Sequence, residues 1–404
     1  MICMAGTGEQ REAIRRGTPE YRRATVGMLF VGLAIFSCLY STQALLPTLT
    51  EALGVSPSQA ALTVSATTGA LAVCVVPASI LSEKFGRGRV LTISAAAATA
   101  MGFALPLSQS IGQMIALRAL QGVLIAGTPA VAMAWLSEEI DERDLPRAMG
   151  LYIAGNTVGG LMGRLVPAFV LEVASWRWAL MVSGAVSFAL AAAAWWMLPE
   201  QRNFRPKASI RPGAEIKAVA RHLANPRLVA LAACGFIGMG VFVSMYNFFG
   251  YRAIHDFGLP PALAGLTFVM YLSGTWSSAR AGTFISRFGR GRVVLAGAAL
   301  MLVGALIGAS RHLGLTLAGL LVFTASFFAV HSTASGWVGQ IAERDRAEAS
   351  SLYVFSYYLG SSVLGALTGR AFEALPWAGF VGVLAGLLGV LTLVAGWLAH
   401  RERR

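Results

Sequence analysis

Long apolar runs recur along the whole chain, separated by short polar connections. A hydrocarbon core about 30 Å thick needs about 20 apolar residues in a helix. Twelve stretches meet that requirement, over roughly 24–46, 58–81, 90–108, 112–136, 146–171, 176–198, 228–251, 261–284, 292–310, 313–340, 346–370 and 377–399. In lipid a backbone N–H or C=O finds no water, so it must bond within its own helix or in a closed barrel. Runs this long and continuous select helices, and the pattern predicts an all-α membrane protein of twelve transmembrane helices. Gly155, Gly159 and Gly163 fall on one face of the fifth, where small residues let a second helix approach closely.

One long polar connection breaks the series. Residues 199–227 hold Arg202, Arg205, Lys207, Arg211, Lys217, Arg221 and Arg227 against Glu200 and Glu215. The chain therefore divides into a tail (1–23), an N-terminal bundle (24–198), a basic linker (199–227), a C-terminal bundle (228–399) and a short tail (400–404). The 214–223 stretch has the composition of a basic interfacial helix pinned to an anionic leaflet.

The two halves repeat. Lys84-Phe-Gly-Arg-Gly-Arg-Val90 returns as Arg287-Phe-Gly-Arg-Gly-Arg-Val293, and Glu142-Arg-Asp144 with Leu151-Tyr152 returns as Glu343-Arg-Asp345 with Leu352-Tyr353. Both pairs sit at corresponding helix junctions. Halves of six helices share one topology, so two pseudo-symmetric six-helix bundles are related by an axis along the membrane normal, with a site near midplane between them.

Composition narrows the function. Hydrophobic residues make up 56% and charged residues 13%, against about 25% charged in soluble domains. The net charge of +13 lies in short loops rather than on one face, which argues against nucleic acid. With the N-terminus inside, 25 of the 32 Lys and Arg fall on the cytosolic side and 4 on the other, so both termini are expected in the cytoplasm. Cys3, Cys38, Cys74 and Cys234 have no metal-type spacing, and neither a metal nor a cofactor is expected. No HExxH, P-loop or GxSxG motif occurs, so an enzyme or an ATP-driven pump has no support.

Ser79-Ile-Leu-Ser-Glu-Lys-Phe-Gly-Arg-Gly88 resembles the helix 2–3 motif of the major facilitator superfamily, Gly-x-Leu-Ala-Asp-Arg-x-Gly-Arg-Arg. Arg118-Ala-Leu-Gln-Gly122 matches that family's helix 4 motif, and Gly155 to Gly163 resembles its helix 5 motif, with Gly160 in place of the proline and Arg164 in place of the last glycine. The resemblance spans the whole chain and points to the drug/proton antiporter-like or arabinose-efflux-like branch. It implies a multi-pass, monomeric transporter of the bacterial inner membrane. The expected partners are the bilayer, a small-molecule substrate and protons, and the expected activity is proton-coupled efflux of a sugar or drug-like compound by alternating access. In the family the helix 2–3 acid pairs with bases and with helix 11 in one gating state. Glu83, Lys84, Gly86 and Arg87 inherit that role, with Arg287, Gly289 and Arg290 as the second copy, where Ser286 replaces the acid.

Ionisable groups cost about 2.5–3.5 kcal/mol each at the membrane centre on insertion scales, so those present need a reason. Arg118 and Arg164 are candidates for a cavity charge, or for a structural arginine bonded to helix carbonyls. Arg280, near a helix end, reads as snorkelling. His331, mid-helix, is a candidate for proton coupling or a neutral packed histidine. No Asp or Glu lies mid-helix; Glu51, Glu83, Glu138 and Glu139 are the other proton candidates. Tyr40, Gln43, Asn156, Tyr246, Asn247, Tyr271, Trp276, Tyr357 and Tyr358 are uncharged groups at depth, suited to solute recognition or interhelical packing. Proton-linked uptake of a sugar or organic anion, and a non-transporting membrane sensor, stand as alternatives.

Overall fold

The computed structural model describes residues 13–204, 220–342 and 344–402. Helices run as α1 (Pro19–Tyr40), α2 (Leu46–Leu53), α3 (Pro57–Phe85), α4 (Arg87–Ala100), α5 (Ile111–Ile125), α6 (Pro129–Glu139), α7 (Leu145–Leu171) and α8 (Trp176–Met197) in the first half. The second half holds α9 (Pro226–His255), α10 (Pro261–Leu266), α11 (Tyr271–Phe288), α12 (Arg290–Ile307), α13 (Leu313–Ile341), α14 (Arg346–Ala374) and α15 (Trp377–Glu402). The only β pairing among the described residues is an isolated bridge from Ile14 to Ile140. Arg205, Lys207, Arg211, Lys217 and Glu343 lie outside the described residues, as does the expected interfacial helix except for 220–223, which are helical.

Eight helical stretches among the described residues are long and apolar enough to cross a membrane. In the most apolar window of α8 only 33% is buried by protein, so most of its apolar surface needs lipid. Trp195, Trp196 and Leu393 stand 69%, 83% and 75% exposed, which water would penalise and a bilayer accepts. The other four crossings are helical but carry polar positions. They are α5 with α6, α7, α10 with α11, and α14, and they hold Arg118, Arg164, Ser277 and Tyr358 respectively, all buried.

Several crossings expected to be continuous are broken. The first stops at Tyr40 and resumes through a 3-10 turn, Gln43–Leu45, into α2. Pro47 has no N–H to continue the ladder there. The fourth is split between α5 and α6, where Pro129 does the same, and the eighth passes through the 3-10 turn Thr267–Met270.

The internal repeat is visible in the packing. Helix α1 lies along α7, and α9 lies along α14 in the same way. A Cβ on Gly155 would stand 2.5 Å from Leu29 O, and one on Gly159 2.6 Å from Leu33 O; on Gly163 it would run into Ser37 O. Gly360 of α14 meets Phe236 O of α9 likewise. Gly86 and Gly289, one in each motif loop, have φ of 98° and 81°, a region only glycine enters at little cost. The helix after each loop is capped from the end of its own half. Gly88 N donates to Gln201 Oε1 at 2.9 Å, and Gly291 N donates to Glu402 Oε2 at 2.6 Å. Asp144 and Asp345 precede the first residues of α7 and α14, again as counterparts.

Candidate functional site

Contacts between the halves join α3 to α14 and α7 to α10. Hydrogen bonds across the seam gather toward the end of the molecule away from the motif loops, called here the far side; the opposite end, which carries the motif loops, Glu20 and Glu402, is the terminal side. Gln43 Nε2 donates to Asn247 Oδ1 at 2.7 Å, and Thr50 and Tyr251 share a hydroxyl bond at 2.7 Å. Ser58 N and Ala262 N donate across the seam to Glu373 and Glu172, each at 2.7 Å.

Below this seal, toward the terminal side, lies a cavity of about 560 Å³, a size that suits a small organic ligand. Arg164 forms its floor and is 2% exposed. Its Nε donates to Gln43 Oε1 at 2.7 Å, Nη1 to Gly160 O at 2.6 Å and Nη2 to Tyr271 Oη at 3.2 Å. The guanidinium carbon stands 3.8 Å from the centre of the Tyr40 ring and 4.6 Å from that of Tyr271, so the charge rests on aromatic faces. Gly160 leaves room for it, since a Cβ there would be 3.3 Å from Arg164 Nη1. Among the described residues no carboxylate pairs with this charge.

Aromatic side chains form a large part of the walls, among aliphatic and small polar residues such as Val76, Met133, Ile153, Thr157 and Ser351. Phe242 and Phe327 stack at 4.1 Å between centroids, and Phe36, Phe328, Tyr357 and Tyr358 join them in the lining. His331 lies in the wall on α13. Its Nδ1 is 2.9 Å from Tyr353 Oη, and its ring centre is 4.6 Å from that of Tyr357. Asn156 adds an amide to the lining. Glu83 and Arg87 stand at the mouth, 3.7 Å apart, and Arg87 also pairs with Glu138, whose second oxygen accepts from Gln201 Nε2 at 3.1 Å.

The site residues named from sequence fall into three groups. Tyr40, Asn156, Gly160, Arg164, Tyr271, His331, Tyr357 and Tyr358 line the cavity, with Glu83 and Arg87 at its mouth. Gln43, Tyr246 and Asn247 lie behind the floor, fully buried, with Tyr246 bonded to Thr324 at 2.7 Å. The rest stand elsewhere. Trp276 is 54% exposed on the outer face of α11, under the Arg280 guanidinium. Lys84 and Arg287 are exposed beside their phenylalanines, and Arg290 N donates to Glu402. Glu51 faces His255 on the far side, and Glu139 accepts from the backbone of Arg202 and Asn203.

Arg118 does not reach the cavity. It is fully buried, and its guanidinium donates to Thr63 O at 3.1 Å, Cys38 O at 3.0 Å, Leu39 O and Gln121 Oε1 at 2.6 Å. The stop at Tyr40 cuts short the helical bonding of the last carbonyls of α1, Cys38 O keeping only its bonds from the capping Ser41, and a cation is the strongest donor for them. Gln121 extends the clamp to Ala98 O at 2.9 Å. The motif thus ties α1, α3, α4 and α5 together. Conversely, Phe36, Phe242, Phe327 and Phe328 line the cavity without having been singled out, because hydrophobicity does not separate a cavity-facing phenylalanine from a lipid-facing one.

The family model of the Major Facilitator Superfamily matches residues 28–280. The inner membrane transport protein YnfM of Escherichia coli (strain K12) is 39% identical over 395 residues, covering 98% of this chain and 94% of that protein. The uncharacterized MFS-type transporter YybF of Bacillus subtilis (strain 168) is 35% identical over 388 residues, 96% of each. A crystal structure of a single-residue mutant of the nucleoside transporter NupG superposes with a TM-score of 0.78 at 17% identity, covering 93% of this chain and 99% of that one. A bacterial homolog of the human lysosomal transporter Spinster, in an inward-facing and occupied conformation, gives 0.74 at 14% identity, covering 95% and 98%. At these identities the structural likeness is one of fold.

Proposed function

The chain belongs to the Major Facilitator Superfamily and is a multi-pass membrane transporter, and from that premise we propose proton-coupled export of a small organic solute by alternating access. The observation that carries this reading is the cavity between the halves, lined on both sides and open toward one end while hydrogen bonds such as Gln43–Asn247 close the other. The excess of Lys and Arg on the terminal side supports a cytoplasmic location for that side and for both termini. The cavity then faces inward. Rocking the halves about their seam breaks the far-side bonds, exposes the same residues outward and closes the mouth around Glu83 and Arg87.

His331 is assigned the coupling proton. It is the one histidine in the cavity wall, and no carboxylate lies deeper in that wall than Glu83 among the described residues. Its exchange of a proton with either side follows the alternation of access. Export is the direction that the helix 5 glycine ladder favours, by its likeness to the antiporter motif. Proton-linked uptake is the second reading, because Arg164 and a protonated His331 in one cavity would load an anion and a proton together.

The test begins with a thermal-shift screen of small organic solutes on purified protein. Flux of a hit is then followed in proteoliposomes with and without an imposed pH gradient. The expected result is flux that follows the gradient in wild type, and His331→Gln retaining solute exchange but losing gradient-driven flux. Equal rates with and without the gradient would rule the coupling out. Accumulation in everted vesicles but not in whole cells supports export; the reverse supports uptake.

A further inference from the structure

Granted that reading of the cavity, we propose that its solute is a flat organic anion whose carboxylate or equivalent group meets Arg164. Three observations carry this. A permanent cation forms the floor, 2% exposed, and its bonds go to neutral groups on Gln43, Gly160 and Tyr271. A guanidinium has five N–H donors in a planar fork; these bonds use three and the Tyr40 hydroxyl engages a further one, so a donor remains for a solute. The walls around it are aromatic and close, with Tyr40 and Tyr271 rings against the charge itself and the Phe242–Phe327 stack above.

Charge decides among solute classes. A buried cation without a counter-ion is costly, and an anion arriving from water relieves that cost while forming a charge-assisted hydrogen bond. A cationic drug meets repulsion at the floor, and the cavity wall offers it only Glu83, which already pairs with Arg87 at the mouth. A sugar wants many polar partners, whereas this wall is mostly apolar, with Ser79, Asn156, Thr157, Ser350 and Ser351 as its small polar groups. Flat rings fit between the aromatic faces by stacking. Position 164 is also where the family motif has glycine, so the charge is an addition to the shared scaffold. The proposal is independent of transport direction.

The experiment uses three probes of one shape and different charge: 2-naphthoate, 2-naphthamide and 2-naphthylmethylammonium. Binding to the purified full-length protein and counterflow in proteoliposomes, against protein-free liposomes, are measured separately. Naphthoate is expected to bind best, and Arg164→Gln to weaken it about tenfold to a hundredfold, the range for losing a charged hydrogen bond. Arg164→Lys is expected to restore part of that loss, and naphthamide binding to be little changed in either variant. Far-ultraviolet circular dichroism and melting confirm that each variant is folded. Equal or better binding of the amide or the ammonium overturns the anion assignment, even when those probes are transported. Absence of binding by all three overturns it too. Naphthoate that binds through Arg164 but shows no counterflow upholds the anion site and instead overturns the proposed transport of such a solute through this cavity.

Discussion

Two arginines buried in the first half divide the chemistry between them. Arg118 donates to the carbonyls at the broken end of α1, and Arg164 faces the cavity on aromatic rings. Insertion cost flags both alike, and neither residue's neighbours along the chain tell them apart. What separates them is where α1 breaks, a detail of Pro47 and the turn before it. The two should therefore respond differently to mutation. Arg118→Ala is expected to destabilise the protein by about 2–4 kcal/mol, from several buried charge-assisted bonds lost at once. Arg118→Lys should recover only part of this, because one ammonium cannot span the same fork. Melting of purified protein checks the point. An Arg118→Ala variant with wild-type stability and altered solute binding would place this side chain's role in the cavity instead.

At the level of helices, a close approach to the Gly155–Gly159–Gly163 face of α7 was legible from residue spacing alone, but not that α1 makes it. Gly155, Gly159 and Gly163 share a face, and the structure presses that face against the backbone of α1. Replacing Gly159 or Gly163 by Ala is expected to cost about 1–3 kcal/mol, the usual range for overpacking, since backbone cannot move aside as a side chain does. Gly150→Ala in the same helix is the control, because nothing lies within 4 Å of its added Cβ. Equal melting temperatures for the three variants would show that α1 and α7 move apart to take the added methyls at no cost. Gly86 and Gly289 were legible as a repeated motif, but their reason is conformational. Alanine at either is expected to cost about 1–3 kcal/mol through backbone strain. The breaks in the first, fourth and eighth crossings were not legible, because hydropathy averages over a proline or a short 3-10 turn.

The whole molecule is built to hold one seam closed and another open. Across the closed seam, Gly69 of α3 faces Ser362 of α14, with 3.3 Å between an ideal Cβ on the former and the Cβ of the latter. That is near the separation of about 3.5–4.5 Å found in disulfides. A Gly69→Cys/Ser362→Cys pair is thus expected to cross-link under oxidant and to stop solute flux while the cavity still binds from the terminal side. Reductant should restore flux. Cross-linking with undiminished flux would mean that these helices do not separate during transport. Thiol labelling before and after oxidation reports the bond, and each single mutant serves as its own control.

The sequence by itself determined the solvent, the number of crossings, the family and the kinship of the halves. The solvent and the crossings follow from hydropathy summed over long runs, the family and the kinship of the halves from short motifs and their repeated spacing, and packing detail reverses none of them. Tertiary structure decided which polar residues meet. Gln43 and Asn247, far apart along the chain, close the floor together, while Trp276, as deep and as polar on paper, faces outward. The physical reason is that a helix buried among helices and bathed in lipid is apolar on nearly every side. Periodicity then carries little information about direction, and only the packing of one bundle on the other says which face becomes a cavity.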